Sequence, residues 1–287
     1  MLQQPQYSMS FEDSGTPAVS GASPEVSKLT KRALQTLTAT IIPDVPDTQV
    51  KLPSGIVRNG TVLQEAEVAE LTGAHEEELA RARTSTNPMK FISTILMCGT
   101  VSVGDEKMTS ALIDEMLQGD LDSLLLAISR VTFGDDFALD GVECPQCSEI
   151  TQVNFKLSDI PVKSLEDPEV REFSVSLRKG RRALVTFPTG KVQTETFRSK
   201  TPLTLPEINS ISLAMCVKSF TEVDGTTRAC TGLSDVKQLG IADRNKIINF
   251  IYTNQPGPRY DQVTAMCPKC EESIPIPLNV GLLFREI

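Results

Sequence analysis

Apolar residues set a helical rhythm near the start of the chain. Val26, Leu29, Ala33, Leu37 and Ile41 recur at spacings of three and four. They follow Ser23-Pro24-Glu25, which combines an N-cap residue, a first-turn proline and an acid, and they predict an amphipathic helix over 24–41 that Pro43 and Pro46 end. Such a helix either docks on a partner or covers the protein's own core, and the pattern does not choose between the two. Thr72 ahead of Glu76, Glu77, Glu78 and Leu79 predicts a second, capped helix. Phe91–Cys98 and Leu112–Leu117 carry further apolar helical faces, and Leu121–Val131 is the longest helix expected, capped by Asp120 and stopped by Gly134. Strand-like alternation marks Thr151–Leu157 and the set Ile276, Leu278 and Val280. Phe173–Leu177 and Ala183–Phe187 flank a turn at Lys179-Gly180 and read as a hairpin.

From Val50 onward the pattern is written twice. Asp120, Gly134, Cys144, Pro145 and Cys147 return as Asp243, Gly257, Cys267, Pro268 and Cys270, always 123 residues later. In the same register Leu124, Leu125 and Ile128 become Ile247, Ile248 and Ile251, and Val153, Phe155 and Leu157 become Ile276, Leu278 and Val280. At other offsets, Leu52-Pro53-Ser54-Gly55 is echoed by Phe187-Pro188-Thr189-Gly190 and Met97-Cys98 by Met215-Cys216. The expected architecture is an α+β fold of two related halves, 50–168 and 169–287, each built of strands and short helices. A Gln-, Ser-, Pro- and Gly-rich tail (1–22), too poor in apolar area to offset its ordering entropy and therefore read as disordered, and a helix-and-proline linker (23–49) precede them.

Composition narrows the function. The 287 residues have a formal net charge of −9, the wrong sign for a protein whose main partner is a phosphate backbone. No apolar run approaches the roughly 20 residues needed to cross a bilayer, and the first residues lack the basic and apolar regions of a signal peptide. A soluble protein of a reducing cytoplasm is expected. One histidine and no tryptophan leave few general bases near neutral pH and few stacking platforms.

Seven cysteines, an odd number without a leader, do not read as a disulfide framework. Four of them form two C-P-x-C units, Cys144/Cys147 and Cys267/Cys270. Each C-x-x-C turn points two sulfurs at one place, so two turns supply the four tetrahedral donors that structural zinc takes, and the proline fixes φ in the tight turn. Four thiolates on a divalent ion leave a site charge of about −2, which backbone N–H groups and Lys269 are expected to offset. The 119 residues between Cys147 and Cys267 far exceed the roughly 15–20 of a compact ribbon. Two similar halves facing each other across a pseudo-twofold axis would bridge that gap with one ion. The other readings are free thiols in local turns, a redox pair, or two sites each completed by another chain. A redox C-x-x-C opens a helix after a strand, whereas a strand follows Cys147 here. Cys98, Cys216 and Cys230 read as small core residues. His75 reads as a surface polar residue, and Arg178, Lys179, Arg181 and Arg182 as a solvated hairpin tip rather than a phosphate site. No Walker loop, H-E-x-x-H, G-x-S-x-G or dinucleotide glycine signature occurs, and paired acids such as Asp135-Asp136 are too common in loops to indicate catalysis.

The stretch from Leu112 to Cys147 runs from a helix through Gly119-Asp120, an apolar helix with Arg130 and Thr132-Phe133-Gly134 to Cys-Pro-x-Cys, and it resembles the baseplate hub family of T4-type tailed bacteriophages. Leu52-Pro53-Ser54-Gly55, Leu71-Thr72-Gly73 with its acidic run, and the ending from Pro256-Gly257 through Cys267-Pro268-Lys269-Cys270 to Leu282-Leu283-Phe284 are similar too. The resemblance covers residues 50–287, is carried by the order of its motifs rather than by any one of them, and leaves an N-terminal extension that departs from it. It implies a non-enzymatic tail or baseplate hub assembly protein that folds in the host cytoplasm and contacts other phage tail or baseplate proteins, and it admits the virion tail as a second location. Zinc rests on the four cysteines alone, since the family need not carry it. A zinc-ribbon protein of phage transcription or replication would share the cysteine turns but needs a basic face, and a thiol oxidoreductase needs a thiolate at a helix start.

Overall fold

The computed structural model describes residues 47–287 apart from Thr86, Lys200 and Pro277. The tail expected over 1–22 and the helix expected over 24–41 lie outside the described residues. The chain opens with an antiparallel hairpin, β1 (Gln49–Arg58) and β2 (Thr61–Val68), then α1 (Gly73–Arg83) and α2 (Pro88–Gly99). Strand β3 (Thr100–Val103) pairs with β2 and completes a three-stranded sheet. Helices α3 (Ser110–Glu115) and α4 (Gln118–Phe133) lead to the hairpin of β4 (Asp136–Glu143) and β5 (Ile150–Lys156). After β6 (Val162–Lys163), strands β7 (Phe173–Ser176) and β8 (Arg182–Val185) form the expected hairpin. Next come α5 (Gly190–Thr196), α6 (Leu205–Cys216), β9 (Val217–Thr221), β10 (Thr227–Ala229), α7 (Leu233–Lys237) and α8 (Ile241–Asn254). These strands order as β10-β9-β8-β7. The chain ends with β11 (Gly257–Pro258) on β6, the hairpin of β12 (Thr264–Met266) and β13 (Ser273–Pro275), and α9 (Val280–Leu283).

Local chemistry accounts for most boundaries. Thr72 N-caps α1, and its N–H donates to Nδ1 of His75 at 3.2 Å, so the single histidine serves a helix start. Asn87 accepts from Met89 N–H at the start of α2, with Pro88 in the first helical position. Gly134, at φ +95°, ends α4. Some expectations need correction. The strand expected through Ile276, Leu278 and Val280 stops earlier, at Pro275 in β13, and Val280 opens α9 because Asn279 accepts from Leu282 N–H and caps a helical turn. Leu52–Gly55 lies inside β1 whereas Phe187–Gly190 connects β8 to α5, so that pair of segments is not topologically equivalent.

Two apolar cores result. One is built on α4, in which ten of sixteen residues are buried, with Leu52, Ile95, Leu96 and Ile113 around it. The second gathers Val175, Val185, Phe187, Leu213, Phe220 and Ile247. Residues 263–284 do not join this second core; Val263, Ile274, Leu283 and Phe284 pack into the first. Ser129 donates to the Leu283 carbonyl at 3.2 Å, and Phe133 meets Phe284 edge-on at 6.1 Å. The return path passes Gly119, where a Cβ atom would lie 1.7 Å from the carbonyl oxygen of Pro256.

Asp120 and Asp243 each stand third in a helix, α4 and α8, and each is at most 1 % exposed. Asp120 is not the cap of α4, whose N-cap is Leu117. Its carboxylate instead accepts from Ser54 N–H (2.8 Å), Ser54 Oγ–H and Gly55 N–H (3.3 Å), fixing the bulge in β1. Gly55 has φ +70°, and a Cβ there would lie 2.4 Å from the Leu63 carbonyl oxygen, so glycine is required. Arg171 bonds the carbonyls of Ser54 and Gly55 from the other side. Asp243 holds the β7–β8 turn, accepting from Arg178 N–H at 2.9 Å and Arg181 Nη2 at 2.7 Å. The basic turn is thus a hairpin tip, but Arg178 and Arg181 are committed to an internal carboxylate.

The two acids respond differently to burial. Desolvation raises the pKa of Asp120 despite the Ser54 and Gly55 bonds and the charge of Arg171. Burial opposes ionisation of Asp243 too, yet the Arg178 N–H and the two guanidinium groups hold it below the ordinary carboxylate range. Asp243 therefore contributes stability that is present above pH about 4 and lost as pH falls through its lowered pKa, while ionised Asp120 weighs against folding as pH rises through its raised one. Asp243→Asn is expected to cost about 3 kcal/mol in urea unfolding at pH 7, shrinking below pH about 4. Asp120→Asn keeps an acceptor for both N–H groups and should change stability by only about 1 kcal/mol. Gly119→Ala is expected to destabilise by about 3 kcal/mol in the same measurement, because the clash is with backbone.

Candidate metal centre

Both C-P-x-C units sit at the tips of β-hairpins. Cys144 follows β4 and Cys267 follows β12, and the chain reverses to enter β5 and β13. In the first turn Cys144 N–H donates to the Glu149 carbonyl at 2.8 Å and Ser148 N–H to the Cys144 carbonyl at 2.9 Å. In the second, Cys267 N–H donates to Glu272 at 2.8 Å and Glu271 N–H to Cys267 at 3.0 Å. Ser148 and Glu271, neither of them glycine, adopt φ of +55° and +58°. The two turns share one backbone solution, with the proline of each placed where no N–H is needed.

The turns bring all four sulfurs together. Cys144 Sγ lies 3.7 Å from Cys270 Sγ, Cys147 Sγ lies 3.6 Å from Cys267 Sγ, and all four fall within 4.8 Å of one another. A tetrahedron with metal–sulfur bonds of about 2.3 Å has edges of about 3.8 Å, which the Cys144–Cys270 and Cys147–Cys267 separations match, and the four donors together lie close enough to surround one ion. Cys144 and Cys267 are buried among the first core's apolar residues, while Cys270 is exposed. N–H groups of Cys270 and Lys269 face the Cys267 sulfur and draw its pKa down to about 7. The Glu272 N–H favours the Cys270 thiolate, but desolvation and the other three sulfurs outweigh it and push its pKa up to about 12. Four thiolates in this space need a cation. Lys269, expected to offset the site's charge, pairs with Glu149 at 2.9 Å and so links one turn to the other.

Among the described residues the other cysteines stand outside this cluster. Cys216 is buried in the second core, its thiol pushed up to about 11 by desolvation. Cys98 and Cys230 are only partly buried, and Cys98 Sγ–H points at the Glu78 carboxylate. Asp135, in the pair Asp135-Asp136, is engaged by Arg130 and by Ser158. The C-x-x-C units lie in turns between strands, not at helix starts, which decides against a thiol oxidoreductase. No described helix is long and apolar enough to cross a membrane.

Residues 45–276, which include both cysteine turns and the buried aspartates, match the family model of the T4 bacteriophage base plate protein. The chain belongs to this family. No curated protein and no solved structure matches it. Membership makes the protein a non-enzymatic structural or assembly protein of a phage baseplate-type family. The mixed α and β fold and the four-cysteine cluster able to chelate a metal ion are seen in the structure itself. Membership also sets aside the reading as a zinc-ribbon protein of transcription or replication. Asp122 carries a feature that reading the sequence missed: it lines a cleft, and its carboxylate has no partner among the described residues.

Proposed function

We propose that the protein is an assembly component of the baseplate hub, folding in the host cytoplasm and acting through contacts with other tail or baseplate proteins, and that one zinc ion on Cys144, Cys147, Cys267 and Cys270 clasps two related halves, 50–168 and 169–287. The observation that carries the zinc is the convergence of four sulfurs within 4.8 Å of one another, from turns of one backbone geometry, two of their separations matching the edge of a tetrahedral thiolate site. The relation between halves is supported by the order of elements. In each, a hairpin is followed by two helices, a strand added to that hairpin, a shorter and a longer helix, and a cysteine turn, the second half inserting β10 before its helix pair and β11 after it. The halves are related stretches of sequence rather than separate packing units, since residues 263–284 pack into the first core.

Elemental analysis of the purified chain should find one zinc per polypeptide, and Cys144→Ser or Cys267→Ser should each lose it and lower the melting temperature strongly, because structural zinc binding is part of folding. Full zinc retention by either variant contradicts a shared site. For the hub role, electron microscopy of lysate from phage lacking the gene should show heads without finished tails or baseplates. Normal infectious particles would refute it.

A further inference from the structure

Two depressions meet at the C-terminal end of α8. One, of about 360 Å³, is an apolar groove between α5, α6 and α8, with Val192, Leu213 and Ile251 in its floor and Phe197 on its rim. The other, of about 370 Å³, is a cleft between the start of α4 and residues 255–261. Tyr252 and Gln255 line both and form the wall between them. The Tyr252 ring is 61 % exposed and Phe197 is 42 % exposed, large apolar groups left facing outward beside a groove.

The charges of the cleft are unevenly satisfied. Arg259 is committed: its guanidinium donates to Asp261 at 3.1 Å and to the Tyr252 carbonyl at 3.2 Å and lies over the Tyr252 ring. Tyr260 donates its hydroxyl to the backbone carbonyl of Asp122, not to its carboxylate. Asp122 is thus the acid of the cleft without a hydrogen bond or ion pair among the described residues. Burial pushes its pKa up to about 7, the mark of a carboxylate that the protein itself does not stabilise when charged. A cationic group brought beside it recovers that cost, whereas an anionic or purely apolar one adds to it. The net charge of −9 attracts the same kind of partner at longer range.

We propose that the Tyr252–Gln255 wall is the centre of a docking site for a segment of another baseplate protein, which lays an apolar side chain in the groove and a lysine or arginine side chain against Asp122. This deepens the assembly role proposed above and rests on it. It assigns Asp122 to specificity and Phe197 and Tyr252 to contact area, the division seen where aromatic anchors surround a desolvated charge.

The test supplies the full chain, with a photo-crosslinking phenylalanine analogue in place of Tyr252, to cells infected by phage lacking the gene. Mass spectrometry of the cross-linked peptide should identify a phage structural protein with a lysine or arginine near the linked residue. Purified, that partner should bind Asp122→Asn at least about 30-fold more weakly than the parent. Tyr252→Glu, at a position exposed enough to leave folding alone, should weaken binding comparably, and zinc content with circular dichroism confirms the fold of both variants. A cross-link to residues 1–45 of the same chain or to a second copy overturns the proposal, as do unchanged affinities in both variants or the lack of any cross-link. If deleting the gene blocks assembly while both variants assemble normally, only the docking site fails. Normal particles without the gene refute the baseplate role and the docking site together.

Discussion

The arrangement depends on a contact between two stretches of backbone. At Gly119 the first turn of α4 meets the carbonyl of Pro256 so closely that no side chain fits between them, and Gly257 faces the same place at φ +126°. That approach steers the chain, after it has built the second core, back beside α4. There β11 can pair with β6 and the hairpin of β12 and β13 can present Cys267 and Cys270 to Cys144 and Cys147. The apolar surface of residues 263–284 then closes over α4. A helix apolar on nearly every side is stable only inside a protein, so α4 needs this returning cover as much as it needs the β1–β2–β3 sheet. The 119 residues between the cysteine pairs are therefore no obstacle to a single site.

Asp120 and Asp243 show how one position can be satisfied in two ways. Both acids sit in the first turn of a long helix and both hold a β-hairpin, yet one binds mainly N–H and O–H dipoles and the other two guanidinium groups. The dipoles do not outweigh the desolvation of Asp120, whereas the charges do so for Asp243, and the two pKa values move in opposite directions. The two acids thus perform a similar geometric task with opposite electrostatic outcomes.

Much of this was legible in the sequence. The helices at 73–83, 88–99, 110–115 and 118–133 have caps or apolar spacing that single-chain reasoning reads, and the Lys179-Gly180 turn has left-handed residues where the hairpin needs them. The four cysteines of the candidate site can be picked out from spacing alone, because thiol pairs three positions apart have few other uses in a chain of this kind. Other features were hidden. Leu52-Pro53-Ser54-Gly55 and Phe187-Pro188-Thr189-Gly190 look alike because both are tight passages packed against the start of α4, the first through Asp120 and the second through Pro188 and Gly190 bonding Gln118 and Met116. Asp120 looks like a cap because short acids favour helix starts, and only tertiary structure shows that its partner is 66 residues away. Asp122 has no signal at all, since being unpaired is a property of the neighbours that folding brings or withholds.

The return of the last residues to the first core bears on how the protein is made. Translation delivers α4 long before Phe284, which ends with no exposed surface and packed against Phe133. A nascent chain halted anywhere in the second core has half of its cysteine cluster and an uncovered apolar helix. Exposed apolar surface of that kind makes an incomplete fold prone to aggregate. The first core and the cysteine cluster are thus completed together, only once residues 263–284 are in place.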